Sequence, residues 1–237
     1  MQLLVSVSNP TEARRAVDGG ADVIDAKDPL NGTLGAVSIE TLRQIHSVVA
    51  GRRVVTAALG DASDERALEQ LAFEYARVGI GFVKIGFTGI TDLDRVERLI
   101  TAAVTGARAT RHRCGVVAVA YADTGGATSV DPAALIEAAI RAQATGVLLD
   151  TAAKDGPGLR RLMTPRAVET WVASAHRAGL AVALAGKLTL EDLPFIGDTG
   201  ADIAGVRGAA CEHGRTGAIV EERVRLLCAE LIATAAR

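Results

Sequence analysis

The sequence predicts an α/β fold, a single (β/α)8 TIM barrel that spans residues 1–237. Short runs of β-branched and aliphatic residues alternate strictly with amphipathic segments rich in Ala, Leu, Arg and Glu. That order is typical of parallel strands joined by crossover helices. The strand–helix unit recurs eight times, and 237 residues is a normal length for one barrel of about 250 residues. No Pro/Ser-rich linker divides the chain.

Each element has its own signal in the sequence. The predicted strands are apolar runs at 3–8, 23–28, 53–59, 82–87, 115–123, 146–152, 181–186 and 202–208. The predicted helices alternate with them at 10–19, 38–50, 63–79, 91–107, 131–144, 164–178, 189–196 and 216–236. Asn9 before Pro10 and Asp131 before Pro132 each put a capping side chain ahead of a proline at a helix start. An open doubly wound sheet is the alternative, but its glycine-rich dinucleotide fingerprint is missing at 8–13 (SNPTEA).

Composition excludes several classes of function. The net charge is −2, and no Lys/Arg run marks a nucleic-acid or membrane surface. The chain opens MQLLVSVSNP, without a basic leader, and no apolar run approaches the roughly 20 residues of a spanning helix. Three cysteines without a CxxC pair are typical of a reducing compartment. We expect a cytoplasmic protein with no nucleic-acid or membrane partner, and Ala/Leu-rich helix faces leave a homo-oligomer possible.

The four lysines are the most informative residues of the chain. Of 26 basic residues, 22 are arginine, so the positions that keep lysine are candidates for chemistry that arginine cannot perform. None falls on a predicted helix. All four lie at, near or just after strands, where the active sites of such barrels are found. They are Lys27, Lys84, Lys154 and Lys187.

Strand parity brings charged side chains together. Asp25 and Lys27 share one face of the second strand, while Lys84 and Asp150 interrupt apolar strands. A charged residue inside an apolar strand must face a polar cavity or be paired. These four residues therefore converge at the barrel mouth, and Lys154 joins them from its loop. A structural ion-pair layer that only plugs the barrel is the alternative.

Clustered lysines and aspartates favour amine chemistry on a carbonyl. Neighbouring ammonium groups lower each other's pKa, and a neutral lysine forms a Schiff base while a second one accepts a proton. Such a set supports aldol addition, isomerisation and dehydration without a cofactor. The four histidines show no HxH or HExxH spacing, so we predict no metal site.

The ends of the last two strands predict a phosphate site. They read AGKLT (185–189) and GVRGAA (205–210). Barrels often bind phosphate with the loops after strands seven and eight, where glycines let backbone N–H groups approach the anion. Gly186 and Gly208 would supply those groups, and Lys187 and Arg207 the charge. The predicted substrate is a small phosphorylated aldehyde or ketone.

The sequence resembles a known family over essentially its whole length. The matching segments are DAKDPLNGTLGA around Lys27, VKIGF around Lys84, LLDTAAKDGPGL around Asp150 and Lys154, and GVRGAAC near the end. They resemble the (5-formylfuran-3-yl)methyl phosphate synthases of methanofuran biosynthesis, also called 4-(hydroxymethyl)-2-furancarboxaldehyde-phosphate synthases.

The resemblance implies a lyase that joins two molecules of glyceraldehyde 3-phosphate, with loss of one phosphate and of water, to form a furan that feeds one-carbon metabolism. It also implies Lys27 as the Schiff-base lysine and Lys84 as the proton acceptor, with Asp25, Asp150 and Lys154 in support.

Two other functions stay open at this point. One is a class I aldolase that acts on another sugar phosphate with the same lysines, from which the identity of the product would separate the synthase. The other is a non-catalytic barrel that binds a metabolite. That barrel would bind its ligand without turnover, and substitution of Lys27 would leave the ligand chemically unchanged.

Overall fold

A computed structural model describes residues 1–62, 64–124, 126–153 and 155–235, and it confirms the barrel. Eight parallel strands are hydrogen-bonded in chain order, and the last closes on the first. The strands are β1 (Gln2–Val7), β2 (Val23–Ala26), β3 (Val54–Asp61), β4 (Phe82–Gly86), β5 (Gly115–Tyr121), β6 (Gly146–Asp150), β7 (Ala181–Leu184) and β8 (Ile203–Val206).

Helices cover the outside of the barrel in the described part of the chain. They are α1 (Pro10–Asp18), α2 (Ile39–Val49), α3 (Glu65–Ala76), α4 (Leu93–Arg108), α5 (Pro132–Arg141), α6 (Leu159–Leu162), α7 (Pro165–Arg177), α8 (Leu193–Asp198) and α9 (Glu221–Ala235). Short 3-10 helices lie at Leu190–Asp192 and Gly208–Ala210. No described helix is both long and apolar enough to cross a membrane.

The predicted helix caps are confirmed. The Asn9 side chain accepts a hydrogen bond from the backbone N–H of Glu12 at 2.9 Å, and Asp131 accepts one from Ala133 at 2.8 Å. Each bond satisfies a donor that has no partner within the first turn of its helix. The prolines that follow these caps supply a helical φ angle and lack the N–H group that would need a partner.

Several predicted boundaries were wrong in ways that matter for the site. The second strand ends at Ala26, not at residue 28, because the Asp28 N–H bonds to the Gly35 carbonyl and starts a loop. The last helix begins at Glu221 and not at residue 216, since the chain first makes a loop closed by a bridge between Cys211 and Ile219. The four-residue helix α6 had no counterpart in the prediction.

The core has two layers separated by the strands. The outer layer packs helices against the barrel with aliphatic side chains and alanines. The inner layer is smaller and fills the barrel itself, with Leu34, Ala58, Val119, Tyr121, Leu148 and Ala183. Around and above that apolar plug, the carboxyl ends of the strands carry polar side chains.

Candidate active site

A cavity of about 520 Å³ opens at the carboxyl ends of the strands. It is the place where barrels of this architecture carry their active sites. Among the described residues, seven of the predicted site residues line it: Lys27, Lys84, Asp150, Gly186, Lys187, Arg207 and Gly208. Asp25 is fully buried beside Lys84. Lys154 was predicted to join them but lies outside the described residues.

Asp25 and Lys84 form an ion pair within the barrel. The Lys84 Nζ lies 2.6 Å from the Asp25 Oδ2. The Ser6 hydroxyl donates to the same oxygen at 2.8 Å, and the Thr56 hydroxyl donates to Oδ1 at 2.8 Å. Side chains from three other strands, β1, β3 and β4, thus fix this carboxylate of β2 in one orientation.

The electrostatics of the pair keep Asp25 ionised. Burial alone would raise the pKa of Asp25, but the charges of Lys84 and Lys27 and the hydrogen bonds from Lys84 and Thr56 outweigh it and hold the pKa below its ordinary value. The carboxylate therefore faces two lysine side chains as an anion at neutral pH.

Lys27 and Asp150 complete the described centre from opposite sides of the barrel. Lys27 directly follows β2, is 9% exposed, and its backbone N–H bonds to the Val7 carbonyl at 2.9 Å. Asp150 ends β6, is 5% exposed, and its Oδ1 accepts from the Thr151 N–H at 2.7 Å. Parity had predicted that these side chains meet, and both line the same cavity as Lys84.

The loop after β7 has an unusual backbone. Gly186 has a φ of +100° and Lys187 one of +58°. The second value is costly for a residue with a side chain and often marks a functional loop. Within the described residues, the N–H groups of Gly186, Lys187 and Leu188 donate to no protein acceptor. The Lys187 ammonium bonds to the Gly156 carbonyl across the loop.

The loop after β8 offers two further backbone donors. Gly208 begins a 3-10 helix, and the N–H groups of Gly208 and Ala209 donate to no acceptor in the described part of the chain. Both loops line the cavity. Free N–H groups on two adjacent loops are a suitable cradle for a phosphate group.

Arg207 is held by the protein itself. Its guanidinium pairs with Glu12 at 2.9 and 3.2 Å and donates to the carbonyls of Ser6, Arg215 and Gly217. Burial raises the pKa of Glu12, but the bonds from Arg207 and Ser8 outweigh burial and lower it. This side chain therefore fixes the loop after β8 against β1 and α1, and adds positive charge to that wall of the cavity.

A loop after β2 lies across the mouth. The Thr33 hydroxyl donates to the Ala152 carbonyl at 2.9 Å, and Arg215 donates to the Gly32 carbonyl at 2.7 Å. Leu34 is 2% exposed and packs on the inner layer of the barrel. The loop is thus tied to the ends of both β6 and β8, as a cover over the site would be.

Sequence reasoning missed several residues of the site. Ser6 and Thr56 had a signal, because both are polar at inward positions of apolar strands. Glu12 and Arg215 had none, since their partners are far away along the chain. Among the described residues, no group of three or more His, Cys, Asp or Glu side chains is arranged to hold a metal ion.

Comparison with known proteins gives a family match and many structural neighbours. The family model described as 4-HFC-P synthase matches residues 3–228. The (5-formylfuran-3-yl)methyl phosphate synthase of Methanopyrus kandleri is 40% identical over 233 residues, which are 97% of this chain and 98% of that protein. The protein of the same name from Methanosarcina barkeri is 36% identical over 231 residues, covering 97% and 99% of the two chains.

Solved structures agree on the fold alone. A 3-hexulose-6-phosphate synthase superposes with a TM-score of 0.62 at 22% identity, covering 99% of each chain. A phosphoribosyl anthranilate isomerase from Thermus thermophilus gives a TM-score of 0.66 at 16% identity, covering 98% of this chain and 99% of that one.

Proposed function

Since the chain belongs to the 4-HFC-P synthase family, we propose that it condenses two molecules of glyceraldehyde 3-phosphate to (5-formylfuran-3-yl)methyl phosphate. One phosphate and water are lost, and the enzyme is a lyase without a cofactor. The product would feed the synthesis of a methanofuran-type cofactor in the cytoplasm. The observation that carries the chemistry is the convergence of Lys27, Lys84 and Asp150 on one cavity.

The first step is the capture of one aldehyde by Lys27. The Lys27 amine adds to the carbonyl carbon and gives a carbinolamine. Lys84, which carries its proton in the ion pair with Asp25, donates that proton to the carbinolamine hydroxyl. Water leaves, and a protonated imine remains on Lys27.

The second step is removal of the proton on the carbon next to the imine. Lys84 has become a neutral amine by giving up its proton, so it can accept this one and return to its ammonium form beside Asp25. The substrate is then an enamine on Lys27. The enamine carbon attacks the carbonyl of the second aldehyde, a carbon–carbon bond forms, and the new alkoxide takes its proton from the Lys84 ammonium while the imine re-forms on Lys27. A hydroxyl group of the joined molecule then closes the ring on the imine carbon, and loss of the Lys27 amine, of phosphate and of water gives the free furan.

The remaining site residues have supporting roles. Asp25, oriented by Ser6 and Thr56, keeps Lys84 in place and charged between proton transfers. Asp150 accepts and returns protons at substrate hydroxyl groups, and Lys154 assists from its loop. One phosphate is bound by backbone N–H groups of Gly186 and Gly208 with the charge of Lys187, while Arg207 adds charge and holds its loop.

The test is direct. Purified protein is incubated with glyceraldehyde 3-phosphate alone, and a furan aldehyde phosphate is sought by mass spectrometry. In parallel, borohydride is added, and the peptide that carries the reduced imine is identified. We expect the furan, and an adduct on Lys27. Lys27→Arg keeps the charge but cannot form an imine, so both signals should disappear.

A matched control adds a lysine away from the site. Arg98 lies on the surface with 56% of its side chain exposed, so Arg98→Lys should leave furan formation unchanged and should not be trapped. An adduct on Lys27 without furan would favour the aldolase alternative. Neither adduct nor furan in the native protein would overturn the proposal.

A further inference from the structure

The proposed reaction needs binding sites for two phosphate groups, and the loops after β7 and β8 provide only one of them. Both substrate molecules carry a phosphate, and only one phosphate is lost, so the site must hold two anions at the moment when the carbon–carbon bond forms. The two loops provide one cradle of backbone N–H groups. A second anion needs its own partner on the cavity wall, because two phosphates repel each other within one cradle.

The cavity carries an excess of positive charge. Among its described lining residues, six have a cationic side chain and two have a carboxylate. The cations are Lys27, Lys84, Lys187, Arg207, Arg215 and Arg223. Four of them make bonds to other parts of the chain: Lys84 pairs with Asp25, Arg207 pairs with Glu12, Lys187 bonds to the Gly156 carbonyl, and the exposed Arg223 bonds to the Cys211 carbonyl.

Arg215 differs from Arg223 in being half-buried, and from Lys84 and Arg207 in having no carboxylate partner among the described residues. It lies in the loop after β8 and is half-buried at the cavity wall. Its backbone carbonyl is fixed by Arg207 at 2.7 Å. Its side chain reaches towards β2, where Nη2 donates to the Gly32 carbonyl at 2.7 Å. Within the described residues it forms no ion pair, although a guanidinium offers five N–H donors.

The surroundings of Arg215 compensate its positive charge only in part, which favours the binding of an anion. Burial lowers the pKa of Arg215, and the charge of Arg207 lowers it further, while the charges of Asp150 and Asp28 oppose this. A half-buried guanidinium without a carboxylate partner is unusual, because desolvation of the charge is not compensated.

We infer that Arg215 binds the phosphate group of the second aldehyde molecule, on the side of the mouth between the loops after β8 and β2. The inference rests on the proposed function. The planar guanidinium can bind two phosphate oxygens while Nη2 keeps its bond to Gly32. Because Gly32 belongs to the loop that follows Lys27, the bound phosphate also ties that loop over the imine.

A structural alternative is that Arg215 only fastens the loop after β2. The two roles differ in their dependence on the substrate's charge. If Arg215 only holds the loop, its substitution should affect every substrate, whether or not the substrate carries a phosphate. If Arg215 binds phosphate, its substitution should affect glyceraldehyde 3-phosphate and should not affect unphosphorylated glyceraldehyde.

The experiment compares the native protein with Arg215→Gln and Arg215→Lys. Arg225→Gln is the matched control, since Arg225 is an exposed arginine of α9 paired with Glu221. Binding of inorganic phosphate is measured by calorimetry. The rate of furan formation is measured against the concentration of glyceraldehyde 3-phosphate. Borohydride trapping of unphosphorylated glyceraldehyde on Lys27 reports on the loop.

We expect two phosphates per chain in the native protein and in the control, and one in Arg215→Gln. The half-saturating substrate concentration should rise about 10- to 100-fold with a maximal rate within a few-fold of native. Trapping of glyceraldehyde should not change. Arg215→Lys should weaken binding of the second phosphate without abolishing it, since lysine keeps the charge but loses the two-pronged geometry of the guanidinium. If Arg215→Gln does not fold, the result for Arg215→Lys is the test.

The outcomes separate the two proposals. Unchanged phosphate binding and unchanged substrate dependence would overturn the role of Arg215 while the furan synthase stands. A loss of glyceraldehyde trapping as large as the loss seen with glyceraldehyde 3-phosphate would also overturn it, and would show that Arg215 only holds the loop after β2 in place. If the native protein makes no furan but loses one phosphate in Arg215→Gln, the proposed function fails and the anion site remains.

Discussion

Lys84 and Asp25 form a buried ion pair across the barrel, with 2.6 Å between Nζ and Oδ2 and side-chain exposures of 5% and 0%. Such a pair contributes little net stability when intact, because desolvation offsets the attraction. Breaking it is different, since one charge is then left inside the protein without a partner. The pair therefore makes the active centre a site where folding and chemistry depend on the same two residues.

Asp25→Asn should destabilise the protein strongly. The substitution leaves the Lys84 ammonium buried without its anion, and we expect a loss of about 3–5 kcal/mol in the free energy of unfolding. Urea denaturation measures it. The double variant Asp25→Asn with Lys84→Met should be more stable than Asp25→Asn alone. A coupling energy near zero in this cycle would contradict the ion pair.

Lys84→Arg should slow both the formation of the imine and the proton removal that follows it, while the imine still accumulates at equilibrium. Arginine keeps a positive charge opposite Asp25 but does not exchange its proton. We expect furan formation to fall by about 10²- to 10⁴-fold, the usual contribution of a general acid or base. The final amount of adduct trapped on Lys27 should be the same as in the native protein. A furan rate close to native would remove Lys84 from the mechanism.

Glu12→Gln should change how stability depends on pH. The pKa of Glu12 in the folded protein is below its ordinary value of 4.5, because Arg207 and Ser8 outweigh burial. The folded state therefore gains stability from this group above that value, and loses it as the pH falls through the folded pKa.

At pH 7 the variant should melt at a lower temperature than the native protein. Between about pH 5 and pH 3 its melting temperature should fall less on acidification than that of the native protein. Thermal denaturation across that range measures the difference. Glu65→Gln, which breaks an exposed pair with Arg98, is the control and should follow the native curve. Parallel curves for Glu12→Gln and the native protein would argue against the assigned pair.

Gly86→Ala should disturb the hydrogen bond between Tyr121 and Asp61, because a β-carbon at position 86 would collide with both side chains. The Tyr121 hydroxyl donates to Asp61 at 2.7 Å, directly where a β-carbon on Gly86 would lie, and the Leu34 Cδ1 would be 2.7 Å away. We expect a loss of about 1–3 kcal/mol by urea denaturation, as for other overpacked sites. Gly156→Ala meets its nearest atom at 3.4 Å and should leave stability unchanged.

Local patterns predicted the elements and the centre of the site. Period-two alternation placed Asp25, Lys27 and Asp150 on the inner side of the barrel, and the same parity would have found Ser6 and Thr56. Contacts between distant segments had no such signal. Glu12 meets Arg207 across 195 positions, and Arg215 reaches Gly32 across 183, because barrel closure and loop paths bring them together. Helix α6 was missed since four residues are too few for a periodic pattern.

The pairing of β1 with β8 has a consequence for synthesis of the chain. Gln2 bonds to the Asp202 carbonyl, so the first strand to leave the ribosome finds one of its two neighbours only when the last strand has emerged. Until then the sheet has two open edges, and unpaired strand edges are templates for aggregation. A nascent chain stalled before β8 would therefore be a client for chaperones, although most of its helices are already present.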